Sequence, residues 1–459
     1  MVKASPRGGP PRFASAAIAT YAAQLGAAVL SFANVLVVSR VLGPSGRGEV
    51  AYLTTIAVLS SNVALFGLQE ANANIAASES EQRRSLATNS IVLSIVLGGL
   101  CVALLAPLVA VFPGVANGLG RGVLWLALGS IPALILQVYL QFLVAADFGF
   151  GMYNMSWLLP ALVNVVANGV LAGAGALTVA TGFGTWVGGQ ALATALLLWY
   201  VGRRSAGFGR PDLPLAGRSL RFGLKTHFAR LMMFGNYRAD QWFVGGLAGA
   251  RELGLYSIAV AWSEVLFYLP TALVVVQRPY LVRASGKEAA GRAAAVFRAS
   301  CLITAACVVG VILLAPILCV SVFGSGFRGS IDDLRVLALG AFGIVAVKQL
   351  GNALTAQRRP GLSSVAAGIA FAASIVLDII LVPSHGGLGA AIASTLSYTL
   401  GGAAVAFFFV RILGARASEL VPRAREIPWF VREVWRLGRA RRAPDVATAT
   451  ASEGVSAPQ

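Results

Sequence analysis

The chain has 459 residues, 57% hydrophobic and only 12% charged, with 36 Lys plus Arg against 18 Asp plus Glu. Soluble domains carry about 25% charged residues, so the composition excludes a soluble globular protein and indicates a polytopic membrane protein. The formal charge of +18 does not imply nucleic acid, because the basic residues are dispersed at the ends of apolar runs, where membrane topology places them.

Taken in chain order, the first segment, "MVKASPRGGPPRFASAA", is basic and lacks a short apolar run followed by a small-residue cleavage site. It reads as a retained cytoplasmic tail over 1–13. A membrane span needs about 20 apolar residues. By that measure six spans run over 14–39, 49–77, 86–112, 123–145, 154–177 and 181–202. A cytoplasmic linker over 203–221 follows, and six more spans run over 222–248, 254–282, 294–323, 331–356, 361–383 and 386–410. Beyond them, Trp429, Phe430, Val434, Trp435 and Leu437 alternate with Arg in a helical manner. That pattern predicts an amphipathic helix within 411–442 lying on anionic phospholipids of the inner leaflet. The small, polar 443–459 reads as disordered.

With the N-terminus placed inside, cytoplasmic segments hold 25 basic residues and outer segments six: Arg40, Arg47, Arg121, Arg251, Arg328 and Arg335. This bias predicts two cytoplasmic termini. Arg greatly outnumbers Lys in an Ala/Gly/Val-rich chain, which suggests a GC-rich bacterial genome and hence the bacterial cytoplasmic membrane. The four cysteines fall within apolar runs without metal-ligand spacing, so neither a metal site nor a disulfide is expected. "LGPSGRG" (42–48) follows no strand and opens no nucleotide-binding unit, so it reads as a tight turn between spans.

The two halves resemble each other. "GRGEVAYLTTIAV" (46–58) aligns with "ARELGLYSIAVAW" (250–262), matching Arg47 with Arg251 and Tyr52 with Tyr256. "GFGTWVGGQALA" (182–193) aligns with "GLGAAIASTLSY" (387–398) at almost the same offset. Six spans per unit give both units the same orientation, a parallel repeat about an axis along the membrane normal. The expected fold is an all-α polytopic membrane protein of about 12 transmembrane helices in two six-helix bundles around a central cavity, suited to alternating access.

The stretch "NYRADQWFVGGLAGARELGLYSIAVAWSEVLFYLPTALVVVQRPYL", together with "VVSRVLGPSGRGEVAYL" and "GLGAAIAS", resembles the oligosaccharide flippases. These Wzx-type polysaccharide exporters share a superfamily with multidrug and toxin extruders and lipid II flippases. The resemblance covers about 14–410. It implies a transporter, not an enzyme, that flips an undecaprenyl-pyrophosphate-linked oligosaccharide from inner to outer leaflet for cell-surface polysaccharide biosynthesis. The polysaccharide polymerase machinery would be a partner.

Such a substrate needs cations for pyrophosphate, neutral polar groups for sugar and an apolar exit for the tail; Arg suits pyrophosphate through its bidentate fork. The spans offer Arg230, Arg238, Arg40, Asn34, Gln241 and Lys348 for the pyrophosphate and glycan. Charges in spans are costly, roughly 2.5–3.5 kcal/mol each by insertion scales, and face the bundle interior. Lys225 and Arg278, near cytoplasmic ends, are expected to snorkel. In the seventh span, at 100° per residue, Arg230, Arg238 and Gln241 share one side and Asp240 faces the other. Residues two apart on a helix do not meet, so Arg238 and Asp240 each need another partner. Asp240 and Glu264 are expected to pair with a neighbouring helix or to bind a coupling cation, giving dependence on a Na+ or H+ gradient with no cofactor. Ion pairs that merely lock the bundle are the competing reading. Other functions on the same fold are a multidrug/cation antiporter, which the cavity cations disfavour, and a non-transporting scaffold. A membrane glycosyltransferase is disfavoured because no outer loop is large.

Overall fold

The computed structural model describes residues 13–111, 119–205, 207–284 and 286–422. The basic stretch 423–442, the terminal 443–459, most of the N-terminal tail, and the side chains of Lys225 and Arg278 lie outside the described residues.

Among the described residues there are twelve α-helices and no strand. The first half holds α1 (Phe13–Ala64), α2 (Leu68–Ser78), α3 (Arg83–Val111), α4 (Arg121–Ala146), α5 (Phe150–Gly173) and α6 (Val179–Arg204). The second half holds α7 (Leu213–Phe243), α8 (Ala250–Ser263), α9 (Val265–Arg283), α10 (Gly286–Pro316), α11 (Ser330–Ala356) and α12 (Pro360–Leu413). Among the described residues, six helical stretches are long and apolar enough to cross a membrane: Ala19–Ala64, Ser80–Pro107, Arg121–Ala146, Phe150–Gly173, Gly286–Ser321 and Pro360–Leu413. Large apolar side chains such as Ile95, Leu104, Val170 and Leu313 are exposed and do not line the central cavity, as a lipid-facing surface requires.

Helix count and span count differ for local backbone reasons. α1 and α12 are each two helices folded at one residue, Gly43 (φ 67°) and Gly386 (φ 56°). Glycine adopts that left-handed backbone without a Cβ clash, and Pro44, with its preset φ, starts the second arm of α1. Conversely, the span expected over 49–77 is broken by two consecutive left-handed residues, Phe66 (φ 47°) and Gly67 (φ 72°), which separate α1 from α2. The span expected over 254–282 is interrupted at Glu264, between α8 and α9.

The linker is shorter than expected. α7 begins at Leu213 because the Asp212 carboxylate accepts the Leu215 N–H at 2.9 Å, an N-cap, with proline in the first turn. The remaining linker lies against α3. Arg84 Nε donates to the Ser205 carbonyl (2.6 Å), Thr88 to that of Gly209 (2.9 Å), and Asn89 both donates to and accepts from the Asp212 backbone (2.8 and 3.0 Å). Beside it Asp147 bridges Arg83 (2.5 Å) and Arg204 (2.9 Å), closing the ends of α3, α4 and α6. After α12, Ala415 and Leu420 pack on the core around Leu281 and Leu350, and Arg298 donates to the Glu419 carbonyl.

Among the described residues, the halves come into backbone contact through glycines at two places. At the Gly43 end, the second arm of α1 crosses α8, and small residues let the backbones touch, the usual device for membrane helices. A Cβ on Gly48 would lie 1.6 Å from the Ala250 carbonyl oxygen, and one on Gly254 would lie 1.8 Å from that of Pro44. These are the segments that align as an internal repeat, and their matched tyrosines, Tyr52 and Tyr256, are both fully buried in one core shared by the two halves. Nearer the linker, Gly67 abuts Gly223, where a Cβ would come within 2.1 Å of backbone oxygen. Beside that contact the His227 ring stacks on Phe66 and its Nε2 lies 3.1 Å from the Val63 carbonyl.

Candidate functional site

Between these two contacts lies a cavity of about 710 Å³. Its first-half wall comes from α1, α5 and α6; its second-half wall comes from α7, α8 and α9. Its charged lining residues are Arg47, Arg238 and Glu264, and the rest of the wall is apolar, aromatic, amide or hydroxyl.

Arg238 and Gln241 are three apart on α7, so they share a face, and both enter the cavity. Arg238 NH2 is 3.0 Å from Glu264 Oε1, with 38% and 34% of the two side chains accessible. Glu264 reaches the cavity because it occupies the junction between α8 and α9. Thr55 donates to Gln241 Oε1 at 3.4 Å, linking α1 to α7 across the cavity. Asn34 lines the opposite wall.

Arg47 stands one turn into the second arm of α1. Its Nε is buried without a partner, it makes no ion pair among the described residues, and it lies within electrostatic reach of Arg238. Counting basic residues along the chain assigns Arg47 to an outer segment, because it adjoins a turn. The signal that could have found it is helical spacing: Arg47, Ala51, Thr54 and Val58 recur on one face of α1 and all line the cavity.

The other expected residues sit elsewhere. Arg230 pairs with Glu70 at 3.4 Å and lies over the Phe142 ring at 5.7 Å. Arg40 donates to the carbonyls of Val322 (2.7 Å) and Ser321 (2.9 Å), groups left open by the wide turn Ile317–Ser321 after α10. Lys348 donates to Thr271 at 2.7 Å within the second half. None of these three lines the cavity.

Asp240 faces away from Arg238, into the second bundle. The cation expected from a neighbouring helix is not its hydrogen-bond partner. Tyr256 donates to Oδ2 at 2.6 Å, Ser394 to the same oxygen at 3.2 Å, and the Gln241 N–H to Oδ1 at 2.7 Å. Nearby, Asp378 is fully buried; it accepts from Ser374 at 3.1 Å and has its Oδ1 unpartnered. Asp240 and Asp378 are within electrostatic reach of each other. Among the described residues no three His, Cys, Asp or Glu side chains are arranged around a metal.

Two helical halves around a cavity that holds two guanidiniums define a multi-pass helical membrane fold with a central cavity. Residues 37–332 match the model of a family described as "Polysaccharide biosynthesis protein". The chain belongs to that family, the Wzx-type polysaccharide exporters. No curated protein sequence matches. Among solved structures, the chain is similar to the lipid II flippase MurJ in an inward closed conformation, with TM-score 0.69, 13% identity and 93% of each chain covered. It is also similar to an inward-facing multidrug resistance MATE family transporter of the MOP superfamily, with TM-score 0.61, 14% identity, and 87% of this chain and 98% of that one covered. A MOP superfamily transporter from Pyrococcus furiosus gives TM-score 0.53 at 15% identity, with 89% and 97% covered. At these identities the likeness is one of fold.

Proposed function

We propose that the chain flips an undecaprenyl-pyrophosphate-linked oligosaccharide from the inner to the outer leaflet of the bacterial cytoplasmic membrane by alternating access, with both termini cytoplasmic. The observation that carries this reading is Arg47 in the cavity beside Arg238. A half-buried guanidinium whose Nε is buried and unused is a standing demand for an anion, and pyrophosphate supplies several oxygens in bidentate geometry. Arg238 answers to Glu264 in this state. An arriving pyrophosphate competes with Glu264 for Arg238, and departure restores the internal pair, which keeps binding reversible. On this reading the Gly48–Gly254 contact closes the outer side and the Gly67–Gly223 contact the inner side, and the two open in turn.

The reading also places the coupling cation, Na+ or H+, between Asp240 and Asp378. Two buried carboxyls with no direct ion pair among the described residues, and only the more distant Arg238 within electrostatic reach of Asp240, favour a proton or a metal cation between them, and the hydroxyls of Tyr256, Ser374 and Ser394 surround them. Arg40 and Arg230, held across the two halves outside the cavity in this state, become available to substrate only if the halves move; Lys348, held within the second half, needs a rearrangement inside that half. Anionic phospholipids at 423–442 and the polymerase machinery complete the proposed partners. The test is depletion in the producing cell. Accumulation of a lipid-linked glycan on the inner leaflet, rescued by the natural chain and not by Arg47→Ala, is expected. No accumulation, with altered drug sensitivity instead, would overturn the reading in favour of the antiporter.

A further inference from the structure

The cavity wall built by α5 and α6 contributes no charge; it contributes an ordered set of amides and one ring. Asn164 and Asn168 lie four apart on α5, and Trp186 and Gln190 four apart on α6, so each pair shares a face. Asn168, fully buried, donates through Nδ2 to Asn34 Oδ1 (2.7 Å) and Asn164 Oδ1 (2.8 Å), using both of its hydrogens. Thr185 contacts Asn168 Oδ1 (2.7 Å) and Asn164 Oδ1 (3.1 Å). The carbonyl oxygens of Asn34 and Asn164 are therefore committed inside the wall, which fixes both amides in one orientation. Their NH2 groups have no partner among the described residues, and both side chains line the cavity. Trp186 is stacked on the buried Phe183, with centroids 5.5 Å apart and planes at 22°, which holds its ring in place at the cavity surface. By contrast the Trp262 indole N–H is already given to the Leu318 carbonyl at 3.1 Å.

Fixed amide donors beside a rigid indole are the chemistry that grips a pyranose. The ring's C–H face lies on the aromatic face, and its oxygens accept the amide hydrogens. We infer that the α5–α6 wall, together with Asn34 of α1, which Asn168 holds against it, reads the first sugar of the lipid-linked glycan through Trp186, Asn164, Asn34 and Gln190, while Arg47 and Arg238 hold the pyrophosphate. Asn168 and Thr185 act as positioning residues that aim the two amides. The inference rests on the flippase reading above and adds that the chain distinguishes a glycosylated carrier from a bare one.

The test compares binding of two probes to the purified full chain: undecaprenyl pyrophosphate, and the same lipid bearing one N-acetylglucosamine. The expected result is that the sugar tightens binding at least tenfold in the natural chain. Trp186→Ala and Asn164→Ala should remove that difference while affinity for the bare carrier is retained. Gln190→Ala, which disturbs no internal hydrogen bond of its side chain, should reduce the difference and serves where the larger truncation does not fold; Trp186→Phe should keep part of it. Equal affinity for both probes in the natural chain, or equal loss of both in the variants, would overturn the inference and leave the flippase reading standing. Failure of the bare carrier to bind at all, with or without Arg47, would instead sink the flippase reading.

Discussion

At the residue scale the account turns on three charges in one cavity. Arg47 has a buried, unused donor, whereas Arg238 already has Glu264. A hydrogen bond to a charged group contributes roughly 1.5–3 kcal/mol, so Arg47→Ala should lower transport by an order of magnitude or more. Arg47→Lys should recover part of it, since Lys keeps the charge but not the bidentate fork. Glu264→Gln should act the other way on binding: with its counter-charge gone, Arg238 holds a carrier pyrophosphate more tightly, and turnover falls because release slows. Titrating carrier affinity alongside transport rate separates the two effects. The sequence allowed half of this to be read. Helical geometry alone separates Arg238 from Asp240 and sends them to different surroundings, as found. It did not reveal Arg47, because a residue beside a turn scores as loop until the turn is seen to occupy a single position, Gly43. Of the amide wall it offered only Asn34, since Asn and Trp scattered through apolar helices give no charge signal.

At the element scale the halves touch through glycines, and the consequences of filling them are opposite. Gly254→Ala sets a methyl against the Pro44 carbonyl, and Gly67→Ala sets one against Gly223 while also straining a left-handed residue. Overpacking of this kind costs about 1–3 kcal/mol, which shifts a two-state equilibrium roughly 5- to 150-fold. With Ala261→Cys as a reporter on the cavity wall, in a chain freed of its native cysteines, labelling from the outer side should rise for Gly254→Ala and fall for Gly67→Ala. Asp147 is a separate, structural case. It neutralises Arg83 and Arg204 together, so Asp147→Asn leaves two guanidiniums facing each other. Because these groups are partly exposed, the loss should be about 1–2 kcal/mol, read as a lowered Tm with cavity binding unchanged. The breaks at Phe66–Gly67 and at Glu264 could not be read from apolar run length, because scattered polar residues inside each run, such as Glu70 and Glu264, do not interrupt it long enough to end a span. Only the backbone angle or the partner helix betrays them.

At the scale of the whole molecule, the internal repeat and the spacing of apolar runs were enough to anticipate two bundles around a cavity, because membrane insertion leaves few other ways to satisfy so many apolar helices. The proposed alternation of the two closures needs an energy source, which the proposal puts at the buried carboxyls Asp240 and Asp378. Replacing either carboxyl by its amide, Asp240→Asn or Asp378→Asn, should abolish dependence of transport on the imposed Na+ or H+ gradient while leaving carrier binding at Arg47 intact. The most direct test of the central claim is transport by the purified chain in proteoliposomes, using undecaprenyl pyrophosphate bearing one N-acetylglucosamine and measuring its transfer between leaflets. The account predicts transfer by the natural chain and background rates with Arg47→Ala. Absence of transfer by the natural chain, or transfer indifferent to Arg47, would contradict it.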